Sequence, residues 1–169
     1  TLETLDGNAF IFCNSTDMIY NLMKQLDLFE ESSVFCSTNS VKKLKNDKDV
    51  KFKNAYEDWD VKHMKRYNWL TSRFYNAVDI KLDEQPNVIL LSNCYFSIHT
   101  IIDPCTDAVQ ATGRFRNGVS SITHIVNVNP NLRVQSKEEI RAYIRGLEHV
   151  HNFLVKLRDI ASNAEKRSV

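Results

Sequence analysis

Three observations predict an α/β fold built on a mostly parallel sheet with helices on both faces. Short apolar runs recur along the 169-residue chain, among them "AFIFC" (9–13) and "NVILLSN" (87–93). Amphipathic segments separate them, and strands buried on both faces read as continuous apolar runs. Alternation of such strands with helices implies parallel crossovers. Hydrophobic residues make up 43% and charged residues 25%, the balance of a globular chain long enough to bury a core.

The elements follow in order. Ala9 to Cys13 reads as a buried strand, and Asn14, Ser15, Thr16 and Asp17 offer caps for a helix carrying Met18, Leu22, Met23 and Leu26 at helical spacing. "SVFC" (33–36) reads as a second strand, with a short helix opening after Asn39 or Ser40. "VKFKNAYEDWD" predicts a short strand and "DVKHMKRY" a turn of helix. "YNWLTS" (67–72), "NVILLSN" and the β-branched "SITHIVNVN" (121–129) read as further strands. "IIDPCTDAVQAT" predicts a helix from Asp103 with Pro104 in its first turn. "SKEEIRAYIRGLEHVHNFLVKLRDIASNAEKR" opens with a Ser136–Glu139 capping box and repeats apolar residues from Ile140 to Ile160. This predicts one long amphipathic helix, packed along one face. The expected division is a lobe over 1–135 and this helix over 136–169, packed on the lobe or extending from it.

Composition excludes several classes. The net charge of +1 gives no global field toward nucleic acid or membrane, so any basic surface is local. The run "SVKKLKNDKDVKFKN" (40–54) reads as a solvated face. Cys13, Cys36, Cys94 and Cys105 form no CxxC pair, and the histidines are scattered, so no metal site is expected. Reduced thiols point to a cytoplasmic protein. No 18-residue apolar run exists for a membrane span, and no signal peptide opens the chain, which reads as a piece of something longer. Trp69 reads as core, whereas Trp59 is open to either packing or base stacking. "DEQP" (83–86) reads as a polar turn.

The chemistry concentrates in "AVQATGRFRNG" (108–118), which holds two of the chain's 4 glycines. A helix through Val109 would stop at Gly113 in the left-handed conformation. Extended chain beyond it would turn Phe115 inward and project Arg114 and Arg116 on one face. Two adjacent guanidinium groups suit phosphate oxygens, most simply a nucleotide γ-phosphate at the carboxyl ends of the sheet. Pairing with surface carboxylates is the alternative for "GRFR" taken alone.

Three segments together resemble the second RecA-like lobe of superfamily 2 helicases over most of residues 8–128. Gln110, Gly113 and Arg114 match the Q-x-x-G-R-x-x-R form of motif VI. "TSRFYNAVDI" (71–80) is similar to motif V, with Thr71, Asp79 and Ile80 in register, and "AFIFCNST" (9–16) to motif IV. Two features depart from the pattern. Arg116 follows Arg114 by two residues instead of three, a spacing similar to origin-binding and phage or mobile-element helicases, and Ala77 stands where motif V has glycine.

The resemblance implies ATP with Mg²⁺ as cofactor, held mainly by a first RecA-like lobe of the same polypeptide. No G-x-x-x-x-G-K-[ST] occurs in this chain, so it would not hydrolyse ATP alone. Arg114 and Arg116 would be arginine fingers, with Gln110 organising the cleft, Gly113 shaping it, and Asp79 meeting the ribose or orienting a finger. Asn14, Ser15, Thr71 and Ser72 would contact the phosphates of single- or double-stranded nucleic acid, DNA favoured. The competing readings are a non-catalytic helicase-like scaffold and an unrelated α/β phosphoester-processing enzyme.

Overall fold

The computed structural model describes residues 6–46, 51–76, 78–127, 131 and 133–167, with side chains of the last helix described to residue 161. The chain divides into two compact units, Thr1–Val128 and Asn129–Val169.

The first unit is an all-parallel, six-stranded sheet with the order β3-β2-β4-β1-β5-β6. Its strands are β1 (Ala9–Phe12), β2 (Ser32–Phe35), β3 (Ala55–Tyr56), β4 (Tyr67–Leu70), β5 (Asn87–Ser92) and β6 (Ser121–Val126). Its helices are α1 (Thr16–Gln25), α2 (Thr38–Lys45), α3 (Arg73–Asn76) and α4 (Asp107–Thr112), with a 3₁₀ turn at Val61–His63 and another at Ile98–Thr100. This is the α/β class expected, and it is consistent with a RecA-like lobe.

Strand alternation divides the core between the two faces. Ala9, Ile11 and Cys13 join Ile19 and Met23 of α1 and Val41 and Leu44 of α2 on one face. Phe10 and Phe12 join Phe74 and Tyr75 of α3, Ala111 of α4 and Phe115 on the other. Trp69 is 1% exposed, as its strand position requires, and its indole donates to Ser32 Oγ at 3.1 Å. Trp59 packs on the rings of Phe10 (5.3 Å) and Phe35 (4.9 Å), which settles it as a packing residue.

Local chemistry sets the helix starts. Ser15 is the residue that caps α1, its hydroxyl accepting from Met18 N, and Ser37 caps α2 through Ser40 N. α2 therefore opens at Thr38, slightly earlier than expected. The helix expected from Asp103 instead starts at Asp107, because the Asp103 carboxylate accepts from the N–H groups of Cys105 and Thr106 and winds a turn that contains Pro104.

The strand read over 121–129 from its alternating β-branched residues forms as β6 over Ser121–Val126, and residues 128–129 of that reading lie outside the described residues. β6 is an outer strand of the sheet, and Ile122 and Ile125, which point to opposite faces, are 55% and 53% exposed. The second unit contains α5 (Lys137–Arg167). The capping box forms as read: Glu139 N donates to Ser136 Oγ, and Ser136 N donates to Glu139 Oε2 at 2.8 Å. Its apolar residues, Ile140, Leu147, Leu154 and Leu157 among them, recur at helical spacing as the sequence predicts.

Candidate functional site

The arginine segment is a tight turn and not the extended chain the sequence suggested. Gly113 closes α4 at φ −64°, a right-handed conformation, which corrects the expected left-handed cap. A Cβ there would lie 3.0 Å from the Val109 carbonyl oxygen, a tight contact that a small shift of the backbone would have to relieve. Phe115 then pairs with Ile80 in an isolated parallel bridge: Ile80 N donates to Arg114 O at 2.9 Å, and Arg116 N donates to Ile80 O at 3.0 Å. Phe115 is 5% exposed and meets Phe10 edge-on at 4.9 Å, so it anchors the turn as read.

Both guanidinium groups reach the segment 76–79. Arg114 donates from Nε to Gln110 O (3.1 Å) and from Nη1 to Asn76 O (3.4 Å). Arg116 forms an ion pair with Asp79, about half exposed on each side, so it is worth no more than about 1 kcal/mol and orients the group more than it stabilises the fold. Gln110 is exposed and meets Arg114 through its backbone carbonyl. Ala77, at the motif V glycine position, lies outside the described residues.

The turn does not sit at the carboxyl ends of the strands, as expected. After β5, α4 runs back across the sheet, so Arg116 precedes the start of β6. Asn117 Nδ2 donates to Leu82 O and Ser120 N to Pro86 O, tying the turn to the chain that enters β5 at the amino edge. The "DEQP" segment is the polar turn expected there, and with Gly7, Asn8 and Lys81 it lines a cavity of about 430 Å³.

A second site lies at the carboxyl edge. From β2 the chain moves toward β3, and from the adjacent β4 it moves the other way, toward β5. Such a reversal opens a crevice beyond the strand ends, where ligands of doubly wound sheets bind. Asn14 follows β1, and Ser72 follows β4. Asn14 Oδ1 accepts from Ser72 Oγ at 2.7 Å, and Asn14 Nδ2 donates to His99 O at 2.9 Å. A crevice of about 320 Å³ is lined by Asn14, Ser15, Thr71, Ser72, Arg73 and His99, among others. The first turns of α1 and α2 also border it, through Thr16, Asp17 and Ser40, bringing the positive ends of two helix dipoles.

The four residues assigned from sequence to phosphate contacts thus line one crevice, in different states. Ser72 is exposed, Thr71 is only 9% exposed, and Ser15 Oγ is engaged in its cap. Arg73 and His99 were missed. Arg73 directly follows Ser72 and could have been read with it, but His99 reaches Asn14 across 85 residues and only the fold joins them.

Burial sets the thiol chemistry. Desolvation pushes Cys13 up to about 11 and Cys36 to about 12, so neither is a ready nucleophile. Among the described residues no group of three or more His, Cys, Asp or Glu could hold a metal ion, and no helix is long and apolar enough to cross a membrane. Guanidinium groups such as these are the donors a triphosphate takes, and among the described residues Asp79 is the carboxylate beside them, short of the group of three a metal ion needs. No protein-family model, no curated protein and no solved structure matches the chain.

Proposed function

We propose that the chain is the second RecA-like lobe of an ATP-dependent helicase or translocase of superfamily 2. The observation that carries this reading is the junction of 78–80 with 114–116, where the motif V and motif VI segments share a backbone bridge and the Asp79–Arg116 pair. Asp79 holds Arg116 in place, Phe115 fixes the backbone between the two arginines, and both cations stay near enough to solvent to meet a phosphate on a first lobe. Bound ATP would supply the phosphoryl group on which negative charge develops. Arg114 and Arg116 would stabilise that charge, with Gln110 beside them.

The carboxyl-edge crevice would hold nucleic-acid phosphates through Asn14, Ser72 and Arg73, with Ser15 and Thr71 shaping its wall. The two sites then occupy different edges of one sheet, an arrangement suited to coupling a hydrolytic event at one with movement of a strand at the other. A cytoplasmic setting fits the free thiols of Cys13, Cys36, Cys94 and Cys105.

Phosphate release from ATP with Mg²⁺ and single-stranded DNA tests the reading. The chain alone should show no turnover, and turnover by it would contradict the role of a second lobe. The coding sequence on the amino-terminal side of Thr1 should carry a G-x-x-x-x-G-K-[ST] segment and an acidic metal-binding motif. A coding sequence with neither would favour a scaffold.

A further inference from the structure

The segment after β5, Asn93 to Ile102, exposes the largest apolar side chains of the first unit. Phe96 is 89% exposed, Ile98 71%, and Tyr95 and Ile101 46% each. This is an ordered projection. Asn93 Oδ1 accepts from the N–H groups of Tyr95 (3.2 Å) and Phe96 (3.0 Å), and Asn127 Nδ2 donates to the same oxygen at 2.9 Å. Asn93 and Ser97 close the turn as an antiparallel bridge, and Thr100 Oγ1 accepts from Asn93 N at 2.8 Å. Tyr95 and Phe96 stand together at the tip with ring centroids 6.3 Å apart.

The foot of this turn is continuous with the phosphate crevice. A cavity of about 420 Å³ is lined by Asn93 and Ser97, which flank the two aromatics, and also by Ser15, Asp17 and His99, which line the crevice itself. Polar side chains, Arg73 (3.4 Å from Asp58) and the Lys43-paired Asp17 therefore line the two adjoining cavities, and the exposed rings of Tyr95 and Phe96 stand between Asn93 and Ser97 at the border of the second. A backbone of phosphates suits the cavities and a base face suits the rings, because stacking needs only a π-surface and tolerates any base.

We infer that Phe96, with Tyr95 beside it, is a stacking platform for a base of a single strand whose phosphates lie in the Asn14–Ser72–Arg73 crevice. This rests on the nucleic-acid reading above and adds to it the single-stranded state of the ligand and the residues that engage its bases.

Fluorescence anisotropy of the whole chain tests this with two labelled probes of about 12 nucleotides, a length within the range of one single-strand site. One is an oligothymidylate and the other an abasic strand of equal length. Phe96→Ala should weaken oligothymidylate binding by about 5- to 150-fold, the value of one stacked base, and leave the abasic strand unaffected. Phe96→Trp should preserve affinity and report the base by fluorescence quenching, with no quenching by the abasic strand. Arg73→Ala should weaken both probes.

If Arg73→Ala weakens both probes while Phe96→Ala changes neither, the platform is refuted and the phosphate crevice survives. Binding of neither probe by the wild-type chain removes both. Loss of association with a first lobe in Phe96→Ala, with oligothymidylate affinity intact, would assign the rings to a protein contact and overturn the inference.

Discussion

Replacing Phe115 by alanine removes the anchor of the arginine turn, and its consequence follows from the packing. The ring is 5% exposed, meets Phe10 at 4.9 Å and Phe12 at 6.3 Å, and lies across the face shared by α3 and α4. Truncating a buried phenylalanine costs about 3–5 kcal/mol, a large share of the roughly 5–15 kcal/mol that holds a domain folded. With a urea slope of about 2 kcal/mol/M, the unfolding midpoint should fall by about 2 M. Tryptophan fluorescence reports the transition, because Trp69 is buried in the sheet and Trp59 packs on Phe10. Arg116→Ala is the control from the same turn. Its half-exposed pair with Asp79 is screened by solvent, so the midpoint should move by less than about 0.5 M. Equal shifts for the two variants would refute the claim that the phenylalanine anchors the turn and the Arg116 pair adds little to its stability.

Three further outcomes are expected. At mildly alkaline pH a thiol reagent should modify exposed Cys94 and Cys105 at once, and buried Cys13 and Cys36 only on unfolding; an immediate reaction of all four would contradict their burial. Cys13, Cys36 and Tyr75 all hold their protons more tightly when folded, chiefly through desolvation, so their contribution is complete below the unfolded thiol value of about 9 and is lost as pH rises through the folded values. The urea midpoint should therefore drop as pH rises from about 9 toward about 12, and a rise would reverse the sign of the argument. Ser136→Ala should cost α5 about 1 kcal/mol, seen as lost helicity at its amino end, with Ser136→Asp restoring it.

The sequence was most legible where burial acts on contiguous residues. β1, β4 and β5 are apolar runs because both faces of a central parallel strand are covered, and Ser136 with Glu139 marks a helix start through bonds made within four residues. β6 reads as a strand from its alternating β-branched residues, but its place as an outer strand of the sheet is a property of strand order that no local pattern carries. Gly113 ends α4 as read but in the right-handed conformation, because the turn that follows is closed by the bridge between Phe115 and Ile80, a contact with a distant part of the chain. Arg114, Phe115 and Arg116 were found, but their edge of the sheet depended on the direction in which α4 returns. His99 and the exposed Phe96 gained meaning only once the crevice beside them was assembled from β1 and β4.

The most direct measurement is ATP turnover by the two-lobe polypeptide, with Arg114→Ala and Arg116→Ala compared against the unaltered protein. Loss of the finger should lower kcat by about 10³-fold or more while nucleotide affinity stays nearly constant, because charge that develops only in the transition state has lost its partner. Unchanged kcat in both variants would show that these cations serve only their local pairs with Asp79, Asn76 and Gln110, and that no phosphate ever reaches them.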